Sequence, residues 1–359
     1  MNQTVPRLLD FYRAFSMVSS RAFLVDAYHG LAMVPIADTF NHVLENHVHL
    51  ESDYSVCAEC GSLYECAHDR DDRALQKIEP PAHFVADADK HDLFYEMVSN
   101  TEIPPHTEIF NTYGEDLSNA QLLTQYGFIL DVNDSDRLSW DIDDVLAITA
   151  LTPGFSTHSR DLVTLDMEHI VASLSADHSI FGDSQLIYRE VSDGNAFSLN
   201  ADGAVSYQLW ALVFRICSLE VGLESHNGDT SKLLSAVLTL QIELENMNNE
   251  GDSTDDEDEH MDAGEPIHFE QYSLNVLHAM CHLVVRLCTT RKANSGPEGF
   301  TEKQLFDILD TEVPEDDLEG RRIRLAISLL IGEHSILDAC AAAWTALAEV
   351  VARLPRVDI

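Results

Sequence analysis

Residues 33–42 read MVPIADTFNH, an apolar run that ends in Asp38 and then delivers Asn41 and His42. An apolar stretch of this kind is expected to be a strand, because short apolar runs bounded by turn residues pack into sheets. Asn and His at its end permit two readings. They turn outward at the end of the strand, or they line a site where an amide and an imidazole grip a polar ligand. A partner motif elsewhere in the chain is needed to choose between them.

The second motif is NTYGEDLSNAQLLTQYGF, residues 111–128. Tyr113 stands where a strand breaks at Gly114, a place from which a phenol can reach a cleft. Ser118 followed by Gln121 forms a capping box, Leu122, Leu123 and Tyr126 share one helix face, and Gly127 stops the helix.

With SSRAF at 19–23, these two stretches resemble, in order, the SET-domain lysine methyltransferases. The branch is that of the Rubisco large-subunit methyltransferase and the fungal ribosomal-protein lysine methyltransferases. The resemblance implies an α+β fold: an irregular, β-rich, knot-like SET domain within 1–150, followed over 151–359 by an all-helical substrate-binding domain. It implies S-adenosylmethionine as cofactor, Tyr113 as the catalytic tyrosine, and Arg21, Asn41, His42, Tyr113 and Phe128 around the cofactor. The expected reaction is methylation of a lysine on a non-histone protein, with ribosomal proteins the suggested class. The family normally opens with further N-terminal strands, including a glycine-containing segment. This chain starts almost at SSRAF, so the resemblance is to an N-terminally truncated member. The alternative is an inactive SET-like binding module.

Composition bounds the partners. The 359 residues carry 21 Lys and Arg against 62 Asp and Glu, a formal net charge of −41. That field argues against direct nucleic-acid binding, which draws its affinity from neutralising phosphates. A basic protein partner fits it. No uninterrupted apolar run reaches the roughly 18–20 residues of a membrane span, and the N-terminus has no signal-peptide pattern. The expectation is a soluble protein of the cytoplasm or nucleus. Nothing in the sequence reports its oligomeric state.

Three of the seven cysteines crowd into VCAECGSLYECAHD at 56–69. Cys57, Cys60, Cys66 and His68 form C-x2-C-x5-C-x-H, a Cys3His set suited to structural zinc. The cluster sits in an expected insertion at about 51–81. Free thiols on a loop are the other reading. His47 and His49 read as ordinary loop or strand residues, and Cys217, Cys281, Cys288 and Cys340 as core thiols.

The segments 204–223, 231–245, 268–288, 301–310, 319–335 and 335–354 carry 3.6-residue apolar periodicity and are expected to be helices. Between two of them, the stretch at about 246–266 concentrates acidic residues and reads as a disordered loop.

Overall fold

The computed structural model describes residues 7–52, 56–57, 60–61, 95–150, 161, 163, 184–188, 197–221, 229–250, 271–296, 301–311, 314 and 316–354. The chain forms an α+β structure in two compact units. The first holds Met1–Leu117 and Gln121–Gly127, and the second Ser118–Ala120 and Phe128–Ile359. The division falls at 117–128, ahead of the boundary at 150 that the resemblance implies.

The first unit opens with α1 (Leu8–Ser19), none of whose residues is buried. It continues into an antiparallel hairpin, β1 (Ala22–Asp26) with β2 (Gly30–Met33). Asp26 Oδ1 accepts the backbone N–H groups of Tyr28 and His29 at 2.9 and 2.6 Å, closing the turn. The stretch LAMVPIA at 31–37 reads as a strand, and that strand ends early, at Met33. Pro35 has no N–H for a ladder, and Ile36 takes φ 78° and ψ −48°. A 3-10 turn over Ala37–Thr39 follows and leads into β3 (Asn41–His42). Of the apolar run, Leu31, Met33 and Ile36 are exposed and Ala37 is buried.

Two more pairings complete this unit. The antiparallel pair β4 (Val48–Ser52) and β5 (Tyr95–Ser99) runs in register from Val48↔Ser99 to Ser52↔Tyr95. The short strand β6 (Phe110–Asn111) lies parallel to β3. Helix α2 (Asn119–Tyr126) ends as expected at Gly127, whose φ is 84° and whose N–H reaches the carbonyls of Leu122 and Leu123 at 3.0 and 3.1 Å. A positive φ of this kind is the usual helix stop, and glycine adopts it without a Cβ penalty.

The second unit is not all-helical. A four-stranded sheet in the order β7-β9-β10-β8 packs into it, formed by β7 (Arg137–Trp140), β8 (Ile187–Tyr188), β9 (Phe197–Asn200) and β10 (Val205–Ser206). A helix, α3 (Ile142–Ala150), follows β7. These strands run two to four residues and carry too few positions to show a period.

The helices follow the periodicity. They are α4 (Tyr207–Glu220), α5 (Asp229–Glu250), α6 (Gln271–Asn294), α7 (Glu302–Leu309) and α8 (Leu318–Arg353). Every residue of α4 from Gln208 to Ser218 is buried, so this helix is the centre of the core. Its start is fixed by Ser206, whose hydroxyl accepts from Leu209 N–H at 3.2 Å and from Ser198 N–H at 3.1 Å. Trp210 Nε1 donates to Gln241 Oε1 at 2.8 Å, and Gln241 Nε2 donates to the buried Glu245 at 2.8 Å. Ser184 and the Gln185 N–H also donate to that carboxylate, which stabilises its burial.

Two expectations change here. Residues 246–250, placed in the acidic loop, complete α5; the rest of that stretch lies outside the described residues. The segments 319–335 and 335–354 fuse into one helix of 36 residues. By length and composition alone α8 is long and apolar enough to cross a membrane. The same helix packs a stripe, Ile336, Leu337, Cys340, Trp344, Leu347 and Val351, into the core of the second unit. Gly203, at φ 80°, lies against α8; a Cβ there would stand 2.8 Å from Cys340 N.

Candidate functional site

Parallel pairing of β3 and β6 sets Asn41 opposite Phe110 and His42 opposite Asn111. Val43 N–H adds a bond to Asn111 O at 3.0 Å, and His47 N–H one to Phe110 O at 2.9 Å. The two motifs, remote in sequence, thereby share one short ladder.

Tyr113 is fixed at both ends. Its backbone N–H donates to His42 Nδ1 at 3.0 Å, and its hydroxyl donates to the Phe40 carbonyl at 3.0 Å. The His42 and Tyr113 rings lie 5.2 Å apart at 31°, and Tyr126 stands 4.6 Å from Tyr113 on its own account at 39°. A backbone N–H can only donate, so His42 Nδ1 is the acceptor and the neutral ring carries its proton on Nε2. Burial lowers the pKa of His42, which favours that neutral form. Burial raises the pKa of Tyr113, with the Arg21 charge acting against it and Tyr126 adding to it. The phenol is therefore protonated at neutral pH and acts as a donor.

Arg21 donates to the Asp38 carbonyl at 3.1 Å and pairs with Asp38 Oδ2 at 3.3 Å. This clamp ties the end of α1 to the 3-10 turn before β3. Asn41 is exposed, and its amide donates to Glu108 Oε1 at 2.6 Å. Arg21, Asn41, His42 and Tyr113 thus fall within one unit and around one segment, 38–42. Phe128 belongs to the second unit, of which it opens the main part.

Four contributors escaped the sequence reading. Phe40 supplies a carbonyl, Glu108 holds Asn41, and Tyr126 faces Tyr113. His47, an ordinary loop or strand residue by sequence, accepts the Phe110 N–H through Nδ1 at 3.3 Å, repeating what His42 does for Tyr113. The spacing of two histidines five apart, each ahead of a strand partner, carries no pattern that would have revealed this. His49 bridges Asn100 and Glu51 on β4.

In the cysteine cluster, Cys57 is half-buried and Cys60 exposed. Gly61 N–H donates to Cys57 O at 2.9 Å, making the tight turn that a C-x2-C-G sequence needs. Gly61 has φ 69°, and a Cβ would meet Ala27 O at 3.0 Å. Cys66 and His68 lie outside the described residues. Among the described residues no three His, Cys, Asp or Glu side chains gather as a metal site.

No family model matches the chain. It is 32% identical to Ribosomal lysine N-methyltransferase 3 of Saccharomyces cerevisiae, over 36% of this chain and 30% of that protein. It is 27% identical to an uncharacterized protein of Schizosaccharomyces pombe, over 36% of this chain and 21% of that protein. The similarity spans less than a third of either relative.

Proposed function

We propose that the chain carries the methyl-transfer site of a protein-lysine N-methyltransferase that uses S-adenosylmethionine and acts on a basic, non-histone protein, with ribosomal proteins the substrate class. The observation that carries this reading is the β3–β6 ladder, which brings Asn41 and His42 against Tyr113. The similarity to a yeast ribosomal lysine methyltransferase supports it. In this reading the first unit is the SET-like part, the β3–β6 crossing belongs to its knot, and the second unit binds substrate.

The donor set suits the cofactor. Asn41 is exposed with an amide that can both donate and accept, and the carbonyl of Phe40 and the hydroxyl of Tyr113 meet beside it. Asn41, His42, Arg21 and Tyr113 would hold the cofactor. The assignment of Phe128 rests on its sequence position directly after Gly127. S-adenosylmethionine supplies a methyl group on a positively charged sulfonium.

The acceptor lysine must be neutral to attack, and an ordinary lysine has a pKa of about 10.4. Bringing that down by about three units corresponds to about 4 kcal/mol. Desolvation beside a fixed positive charge supplies shifts of this order. Tyr113, protonated and anchored to Phe40 O, is unsuited to act as a base. Its role is to orient the reacting groups, and orientation is a large source of rate. The lysine proton leaves to water.

One observation favours a second reading, an inactive module that holds a basic partner. The chain carries a formal net charge of −41, a field that draws a basic partner. Incubating the chain with labelled S-adenosylmethionine and purified ribosomal proteins, and locating methyl-lysine by mass spectrometry, separates the two. Transfer establishes the enzyme. A chain that binds the cofactor product yet methylates nothing in the full ribosomal set establishes the module.

A further inference from the structure

Helix α6 carries His278 and His282 one turn apart. Residues at i and i+4 share a helix face. Their neighbours Met280, Cys281, Leu283 and Val284 are buried in the core, so the backbone presenting the pair is rigidly held. His282 is exposed and His278 half-buried. The two rings meet edge to face, with centroids 4.5 Å apart at 79°. Their Nε2 atoms are 3.3 Å apart.

That separation has a chemical meaning. Two imidazole nitrogens bound at about 2.0–2.1 Å to one tetrahedral ion stand about 3.3 Å apart. The same Nε2 atoms that now face each other across a hydrogen bond have the spacing of a chelate, and an ion would replace the shared proton. We infer that His278 and His282 form a binding site for a first-row divalent transition cation on the surface of the second unit. Imidazole suits nickel, copper and zinc. Among the described residues no third His, Cys, Asp or Glu joins the pair. Arg286, one turn further along and exposed, opposes a cation, whereas the strongly acidic chain as a whole attracts one. The site is separate from the Cys57–Cys60 turn, which lies in the other unit.

Titration of Ni2+ into the full chain by calorimetry tests it, using wild type, His282→Gln, His278→Gln and Cys57→Ser. A two-histidine chelate is expected to give one equivalent of Ni2+ that either histidine variant weakens by about tenfold or more and that Cys57→Ser leaves in place. His282 is exposed, so its variant is expected to keep the wild-type circular dichroism spectrum. Equal Ni2+ binding by wild type and His282→Gln, or loss of the equivalent in Cys57→Ser alone, would overturn the assignment.

Discussion

The backbone N–H of Tyr113 rests on Nδ1 of His42, 71 residues earlier in the chain, at 3.0 Å. One imidazole thereby fixes the place of the residue proposed to orient the reacting groups. The bond requires a neutral ring, which links the site to pH.

His42 has a lowered pKa in the folded chain, so its contribution to stability is present above about pH 6.5, the ordinary histidine value, and declines as pH falls below it. His49 has a raised pKa through Glu51 and Asn100 and acts in the opposite sense, its contribution lost as pH rises above that value. Urea unfolding at about pH 7.5 and about pH 5.5 is expected to show wild type losing more stability on acidification than His42→Gln. The variant is expected to be less stable at the higher pH by about 1–3 kcal/mol, the cost of a buried donor without its acceptor. Parallel losses in the two proteins would show that His42 does not carry the pH dependence.

Tyr113→Phe keeps the rings against His42 and Tyr126 and removes only the hydroxyl that reaches Phe40 O. Stability is expected to fall by about 1 kcal/mol. Methyl transfer is expected to fall by about 10²–10³-fold, as when one positioned donor is removed from a reacting centre. Cofactor-product binding is expected to survive. Full activity in the variant would remove Tyr113 from the mechanism.

Ile36 is exposed and holds φ 78° and ψ −48°, close to a γ-turn conformation that costs an L-residue about 1–3 kcal/mol. Its carbonyl is held by Thr39, through N–H at 3.0 Å and through the hydroxyl at 2.6 Å. Ile36→Gly relieves the backbone at little cost in burial, and its midpoint of thermal unfolding is expected to rise or stay level. A clear drop would mean that the isoleucine side chain, and not the backbone, sets this turn.

Much of this structure follows from local rules that act within a few residues. The 3.6-residue period marks α4, α5 and α6, and Gly127 ends α2, because helix formation depends on neighbours three and four apart. The same rules split α8 at Ser335, where no proline intervenes and the apolar stripe runs on through Ile336 and Cys340. The strands of the second unit are too short for a period, and the 31–37 run carried Pro35 and Ile36 inside what looked like a strand. At the site, Asn41, His42 and Tyr113 stand out as polar groups where apolar strands end, whereas Arg21 and the roles of all four come from a resemblance. No periodicity reports a ladder such as Asn41↔Phe110. Glu108 and the Phe40 carbonyl were illegible for the same reason, since their roles exist only once the segments meet.

The Cys57–Gly61 turn lies within the C-x2-C-x5-C-x-H stretch whose sequence offers ligands for zinc. Metal analysis of gently purified protein is expected to find about one equivalent of zinc, released when Cys57 and Cys60 are both changed to Ser. Less than about half an equivalent in wild type would count against a structural site formed by Cys57, Cys60, Cys66 and His68.

If Asn41, His42 and Tyr113 hold S-adenosylmethionine as proposed, calorimetric titration of S-adenosylhomocysteine into the 359-residue chain is expected to show one molecule bound with micromolar affinity, weakened about tenfold by Asn41→Ala. A matching gain in stability of about 2.7 kcal/mol is expected at a hundredfold excess over the dissociation constant. No heat of binding and no thermal shift at millimolar ligand would contradict the proposal.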